Sequence, residues 1–523
     1  MERRVEGEEE EEEQSLQNFL TWAAELGITD SPPPNPSQSS LKPSNPPSCL
    51  GKSLTVSHFP NSGGRGLAAA RHLTKHELVL TVPKSALITS DTLISMDNKL
   101  CCSIRRYPNL SSSQMLSVCL LAEMGKGRSS RWHTYLMQFP RSYDTLAGFA
   151  RFETQALQVD DAIWAAEKAV SKAELEWKEA LPLMRELEFK HQLITFRSWL
   201  WASATISTRT MHIPWDEAGC LCPVGDFFNY AAPGEDSIGS EYEDSCTQFS
   251  SLQVSSSSKN KDLERELDTR PVEEHSQRLI DAGYEEDVGA YCFYARRNYR
   301  KGEQVLLSYG TYTNLELLEH YGFILTTNPN EKVYIQLEPD VYSNSWPKES
   351  LYIQPDGKPS YALLCALRLW ATPPNKRKSV GHLAYSGQLL SRENEMHVMR
   401  WIENKCCFLL DNVPSSVEED ICLLDFADKL KYSHLNETKQ MPLACEVETA
   451  AFAKANGLKT VGEFSFSNKA KRSMERWKLA IRWRLRYKQI LVDCITHCTT
   501  TMDHLSSQRI PCLRTDLLSF VDK

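Results

Sequence analysis

Apolar residues change their spacing several times along the chain, and each change predicts a different kind of element. The runs Ser53-Leu54-Thr55-Val56-Ser57 and Glu77-Leu78-Val79-Leu80-Thr81-Val82 alternate with the period of two of a half-buried strand, and alternation returns at Ala290-Tyr291-Cys292-Phe293-Tyr294-Ala295. Between them, over 114–124 and again over 158–211, apolar positions recur every third or fourth residue among good helix formers. That spacing predicts a helical insert, about 100–215, inside a β-rich region. Arg300-Lys301-Gly302-Glu303 reads as a turn into a last strand at Val305-Leu306-Leu307. Past Val333-Tyr334-Ile335-Gln336-Leu337 the pattern turns helical: 360–371, 392–410, 417–430, 442–455, and a long final helix over about 469–497.

Two polar stretches interrupt this order. Residues 1–14 read as a charged tail, 16–28 as a short amphipathic helix, and 31–47 as a Pro/Ser-rich linker, so the first domain begins near Gly51 after a leader of about 1–50. Residues 235–287 are rich in Ser, Glu, Asp and Lys and lack the aromatics to build a core, which predicts a disordered loop over about 239–283. A length of 523 residues accommodates two to four domains.

Composition narrows the partners. The formal charge of −9 owes much to Glu8 through Glu13, so nothing global points to nucleic acid or a membrane surface, and no run of 18 apolar residues forms a span. Sixteen cysteines stand beside a Glu-rich start unlike a signal or transit peptide, so reduced thiols in cytoplasm or nucleus are expected. Cys220-x-Cys222 has no Cys-x-x-Cys pair nearby, and Cys494, His497 and Cys498 make half a tetrahedral set without a fourth ligand, so no metal site is predicted. The final helix carries nine Lys and Arg residues between Lys469 and Lys488, with Trp477 and Trp483 interleaved. A solvated face around a buried aromatic stripe accounts for this better than nucleic-acid binding.

The densest candidate chemistry lies in 308–323. Tyr309 follows the last strand, Thr313 and Glu316 fit a capping box that opens a helix, Tyr321 falls in its last turn, and Gly322 suits the left-handed residue that closes it. Alone, this fits an aromatic lid over a core as well as a catalytic layout. Two earlier segments separate the readings: Gly63-Gly64-Arg65-Gly66-Leu67 between two strands, and Pro223-Val224-Gly225-Asp226-Phe227-Phe228-Asn229-Tyr230 after the helical insert. In that order, with Tyr309 last, the three resemble the SET-domain methyltransferases, in the split-SET class typified by the Rubisco large-subunit methyltransferase.

The resemblance implies an α+β fold: a β-rich SET domain over 51–325 with a knot-like C-terminal threading and a helical insert, then an all-α substrate-binding domain over 338–523. It implies S-adenosylmethionine as cofactor, a protein substrate, and methyl transfer to a lysine ε-amine. A lysine of ordinary pKa, about 10.4, must lose its proton on entering an aromatic-walled channel. Within the resemblance Gly63, Gly64 and Arg65 bring main chain to the cofactor, Thr208-Arg209 lies by its carboxylate, and Asp226 with Asn229-Tyr230 holds its amino end and adenine. Tyr309 matches the catalytic tyrosine and Tyr321 lines the lysine channel. The family pattern has Asn-His where this chain has Asn229-Tyr230, which keeps open a SET-fold scaffold without turnover, as relatives that methylate histidine keep open an imidazole acceptor. No membrane partner is implied, and oligomeric state is left open.

Overall fold

A computed structural model of the chain describes residues 2–30, 48–60, 64–233, 281–338, 346–432, 443–458 and 467–507. It divides into two compact units. The first comprises Met1–Leu87, His212–Trp215 and Cys222–Gly310; the second comprises Ile88–Met211, Asp216–Leu221 and Thr311–Lys523. The architecture is α+β, with small sheets in the first unit and a largely helical second unit. Among the described residues, no helix is long and apolar enough to cross a membrane.

The first unit opens with one helix over Glu2–Glu25, not a charged tail followed by a short helix at 16–28. Glutamate is a good helix former and is favoured near a helix N-terminus, so the acidic run extends the helix instead of fraying it. Phe19 anchors it, fully buried with its ring 5.5 Å from that of Phe227. Buried Asp30 then fixes the entry to the sheets, its Oδ2 accepting N–H bonds from Gly51, Lys52, Ser53 and Leu54 at 2.7–3.0 Å. Leu54–Phe59 pairs antiparallel with Gly64–Ala69. Ala290–Tyr294 is the middle strand of three, between Leu78–Pro83 and Ala282–Glu285.

That last strand corrects the polar-loop expectation at its C-terminal end. Ala282–Glu285 carries no apolar alternation, yet it pairs in register with Ala290–Tyr294, and Tyr284 packs edge-on against Trp215 at 4.4 Å. The sequence hides it because cross-strand hydrogen bonds and one aromatic contact, not alternation, hold it. The expected linker at 31–47 and the expected loop over 239–280 lie outside the described residues.

In the second unit the insert forms helices Ser112–Lys126, Asp160–Glu186 and Phe196–Arg209, the first opened by a capping box between Ser111 and Gln114. The C-terminal part forms Tyr361–Trp370, Pro374–Tyr385, Arg392–Asp411, Val417–Tyr432, Leu443–Ala455 and Asn468–Ser507. Helix Pro374–Tyr385 escapes the periodicity reading because only Ala384 is buried, so it has no apolar stripe to betray it. One core joins Leu146, Ala166, Leu318, Phe452 and Trp477, so insert and C-terminal helices share apolar packing.

The long Asn468–Ser507 helix matches the expected solvated basic face around a buried aromatic stripe only in part: Trp477 and Trp483 are buried and Lys469, Lys471 and Arg482 are exposed, but three of its cations are not. Arg484, Lys488 and Lys478 are buried. Arg484 donates to Asp420 Oδ1 at 2.8 and 3.0 Å, to both carboxylate oxygens of Glu448 at 2.9 Å, and to the Ala156 carbonyl at 2.6 Å. Lys488 reaches Asp420 Oδ2 at 2.5 Å and Lys478 reaches Asp428 at 2.5 Å. Neighbouring helices bring these carboxylates, and burial of a charge is tolerated only with such partners. Cys494 and Cys498 lie with Cys406 in an apolar core.

Candidate functional site

In the first unit, Arg65 belongs to the strand Gly64–Ala69, with Gly64 at φ +76°. Its guanidinium lies 4.3 Å from the Phe227 ring centroid, and its carbonyl accepts a bond from Asn229 Nδ2 at 3.4 Å. Gly66 is the tightest point: a Cβ there would stand 2.6 Å from Asn229 Nδ2 and 2.9 Å from Gln304 Nε2. A side chain at this position would displace the two amide ends. Gly66 thus packs against Asn229 and Gln304, a contact that no motif announces. Gly63 lies outside the described residues.

Asp226 stands on a short 3-10 turn, Gly225–Phe227, entered through Val224 at φ +68°. A β-branched residue in the left-handed region costs on the order of 1–3 kcal/mol, and such strain collects where the chain must aim a side chain. Gly225 has no room for a Cβ, which would meet Phe293 Cζ at 2.4 Å, so the turn is seated directly on the core. Asp226 is half-buried, and its N–H donates to the Cys222 carbonyl at 3.0 Å.

Asn229–Tyr230 pairs in parallel with Leu306–Leu307. This short pairing carries the chain from Tyr230 and the chain into Tyr309 side by side. The Tyr230 hydroxyl donates to the Gly310 carbonyl at 2.8 Å, the two tyrosine rings are 5.2 Å apart, and the Tyr309 hydroxyl donates to the Phe228 carbonyl. The departure from Asn-His thus has a structural consequence: a phenol reaches the backbone just past Tyr309 and ties that turn down. Arg296 braces the same segment by donating to the carbonyls of Ala231 and Ala232 at 3.2 and 3.4 Å, a role no motif announced.

The remaining site residues belong to the second unit. Thr208 bonds back to the Ala204 carbonyl at 2.7 Å. Arg209 donates from Nε to the Tyr143 hydroxyl at 3.2 Å and lies 5.5 Å from the Phe139 ring centroid. Ser207 donates to the His320 carbonyl at 2.7 Å, linking the end of the Phe196–Arg209 helix to the segment before Tyr321. It is Ser207, one residue from the predicted pair, that makes this link.

Helix Asn314–His320 has the expected capping box, with Thr313 N donating to Glu316 Oε2 at 2.7 Å and Glu316 N to Thr313 Oγ1 at 3.4 Å. Tyr321 is its C-cap, one residue beyond the predicted last turn, and Gly322 follows at φ +77°. A Cβ on Gly322 would come within 2.8–3.1 Å of the Asp144–Thr145 backbone. Tyr312, Tyr321 and Phe323 form an aromatic group, with neighbouring ring centroids 5.5 and 6.1 Å apart.

A buried polar network holds the start of this helix. Asn314 N donates to Glu331 Oε2 at 3.0 Å, the Asn314 side chain exchanges bonds with Leu325, and Asn328 donates to the Tyr312 carbonyl at 2.9 Å. Burial pushes the Glu331 carboxyl up from its ordinary 4.5 to about 7, against the opposing pull of two backbone N–H donors. A folded-state pKa above the unfolded value means this group's stabilising contribution is full below about 4.5 and lost as pH rises through about 7. The thermal midpoint of the natural protein is expected to fall between about pH 5 and 7, with Glu331→Gln reducing that fall. Melts across this range check it; an equal slope in both proteins would assign the fall to other groups.

Comparison with known proteins follows the same lines. A family model described as Rubisco LSMT substrate-binding matches residues 315–491. Over 502 residues the chain is 51% identical to Protein SET DOMAIN GROUP 40 of Arabidopsis thaliana, covering 94% of this chain and 97% of that protein. It is 23% identical to the actin-histidine N-methyltransferase of Canis lupus familiaris, over 68% of this chain and 58% of that one. The crystal structure of the SET domain of LSMT bound to lysine and AdoHcy superposes with a TM-score of 0.55 at 15% identity, covering 94% of this chain and 92% of that chain.

Proposed function

Because the chain belongs to the SET-domain family of the Rubisco large-subunit methyltransferase class, alongside Arabidopsis SET DOMAIN GROUP 40, we propose that it is an S-adenosylmethionine-dependent protein N-methyltransferase acting on a lysine ε-amine. The observation that carries this reading is the convergence of Arg65, Asn229, Tyr230 and Tyr309 in one compact unit around the short parallel pairing. The substrate is a protein, in keeping with the substrate-binding family match over 315–491.

The residues fit the cofactor. Gly64 turns the main chain at φ +76°, Gly66 brings it up against Asn229, half-buried Asp226 offers a carboxylate to an ammonium, and tyrosine faces tolerate a cation. When bound, S-adenosylmethionine supplies an electrophilic methyl group on a sulfonium. Gly64 and Arg65 would hold it through backbone groups, Asp226 would take its amino end, and Asn229 with Tyr230 would take the adenine through main-chain contacts. By the family resemblance, Arg209, steadied by Tyr143, would be the partner of its carboxylate, with Thr208 beside it in the sequence.

Tyr309 has its hydroxyl fixed by the Phe228 carbonyl, so it orients the incoming amine without reorganising. Tyr321, grouped with Tyr312 and Phe323, lines the path of the acceptor. Those rings exclude water and disfavour an ammonium without counter-charge, so the lysine enters as the neutral amine and gives its proton to solvent first. Titration calorimetry with S-adenosylmethionine tests the reading, with a fitted one-to-one site as the expected result. Absence of cofactor binding by folded protein would leave a SET-fold scaffold, and mass spectrometry of the labelled product separates lysine from histidine.

A further inference from the structure

The second unit contains a cleft of about 490 Å³ bordered by six cations: Arg141, Arg151, Arg197, Lys469, Arg472 and Arg476. Arg476 is engaged, pairing with Asp144 at 2.9 Å and donating to the Tyr143 carbonyl at 3.0 Å. Arg141, Arg151, Arg197 and Lys469 are exposed and make no ion pair among the described residues. Four unpaired cations around one concavity focus a positive potential there, which favours a negatively charged partner. The wall is not uniformly basic. Glu153, 3% exposed, accepts from Ser473 Oγ at 2.5 Å through Oε1, while its Oε2 has no hydrogen-bond partner among the described residues. A buried carboxylate oxygen left so costs about 1–3 kcal/mol, and it calls for an N–H donor from outside.

We propose that this cleft binds a short acidic stretch of the protein substrate in extended form, its carboxylates against Arg141, Arg151 and Arg197 and a main-chain N–H on Glu153 Oε2. A peptide supplies both anions and backbone donors, and arginine forks suit carboxylates. A phosphodiester backbone supplies only the anions and would be repelled by Glu153. The cleft also abuts the acceptor path within the same unit. Tyr143, on its wall, accepts the bond from Arg209, and the Asp144–Thr145 backbone beside it is packed against Gly322, next to Tyr321. An acidic stretch held here would keep its neighbouring lysine close to Tyr321. The proposal rests on the protein-methyltransferase reading and adds the charge of the sequence beside the modified residue.

The test uses full-length protein, no cofactor, and a fluorescein-labelled peptide of about twelve alternating Glu and Gly residues, read by anisotropy. Saturable binding that weakens with salt is expected, and the exposed pair Arg141→Glu with Arg197→Glu should raise the Kd at least about tenfold. Calorimetry with S-adenosylmethionine on the same variant should be unchanged, so a failed peptide titration and a failed methyltransferase reading remain distinct. No binding by the natural protein, an unchanged Kd in the variant, or tighter binding of a thymidine oligonucleotide of similar charge would each overturn the proposal. The last outcome would turn the cleft over to nucleic acid.

Discussion

Tyr309→Phe is expected to lower the single-turnover rate of methyl transfer by about a hundred- to a thousand-fold while leaving cofactor affinity close to that of the natural protein, because the substitution removes one oriented hydroxyl and keeps the ring. Two features make the hydroxyl more than packing. It is fixed by the Phe228 carbonyl, and the turn that carries it is held from the other side by Tyr230 through Gly310. The ring contact with Tyr230 at 5.2 Å survives in phenylalanine, so a tyrosine that merely filled space would cost less than about tenfold. Some of the loss is structural, since a hydrogen bond to a carbonyl goes with the hydroxyl, at about 1 kcal/mol. Single-turnover kinetics at saturating cofactor, with circular dichroism confirming a folded variant, separates the two. Full activity would move the active site elsewhere.

Arg484→Met is expected to destabilise the second unit by about 3–5 kcal/mol, read as a lowered denaturant midpoint. The size comes less from lost attraction than from what is left behind. Asp420 is fully buried and Glu448 nearly so, and both lose their guanidinium donor, as does the Ala156 carbonyl. Lys488 still reaches Asp420 Oδ2, but one ammonium cannot replace the guanidinium fork shared between two carboxylates. Arg484→Lys should therefore recover only part of the loss. A cost below about 1 kcal/mol for Arg484→Met would place this network among ordinary surface ion pairs.

This helix also marks where sequence reading stops. Its periodicity and length are plain from residues 469–497, and Trp477 and Trp483 name the face that packs. Whether Arg484 and Lys488 lie in water or under other helices is a different question, because it depends on carboxylates from another part of the chain. Asp420 lies 64 residues away. Periodicity reports which side of a helix is apolar; it carries no information about what stands opposite a cation.

The candidate site divides in the same way. Tyr309, Asp226, Asn229 and Arg65 were legible because each lies beside a local signal: a turn after a strand, a Gly-rich junction, a capping box that opens four residues after Tyr309. Tyr230 was legible only as a departure. That its hydroxyl lands on Gly310 follows from a parallel pairing between segments some 80 residues apart. Gly66 and Gln304 carry no motif as functional residues and matter because two distant amides converge where a Cβ would sit. Glu331 reads as one more acid in a charged stretch until burial against Asn314 raises its pKa. Local sequence by itself determined most of the order of strands and helices, several of the caps that bound them and the residue types available for chemistry, since these depend on backbone propensity and on neighbours within a few residues. Tertiary structure alone decided which of those residues are desolvated, which charges are paired and which hydroxyls are aimed, since each depends on atoms that only the folded chain brings within a few ångströms.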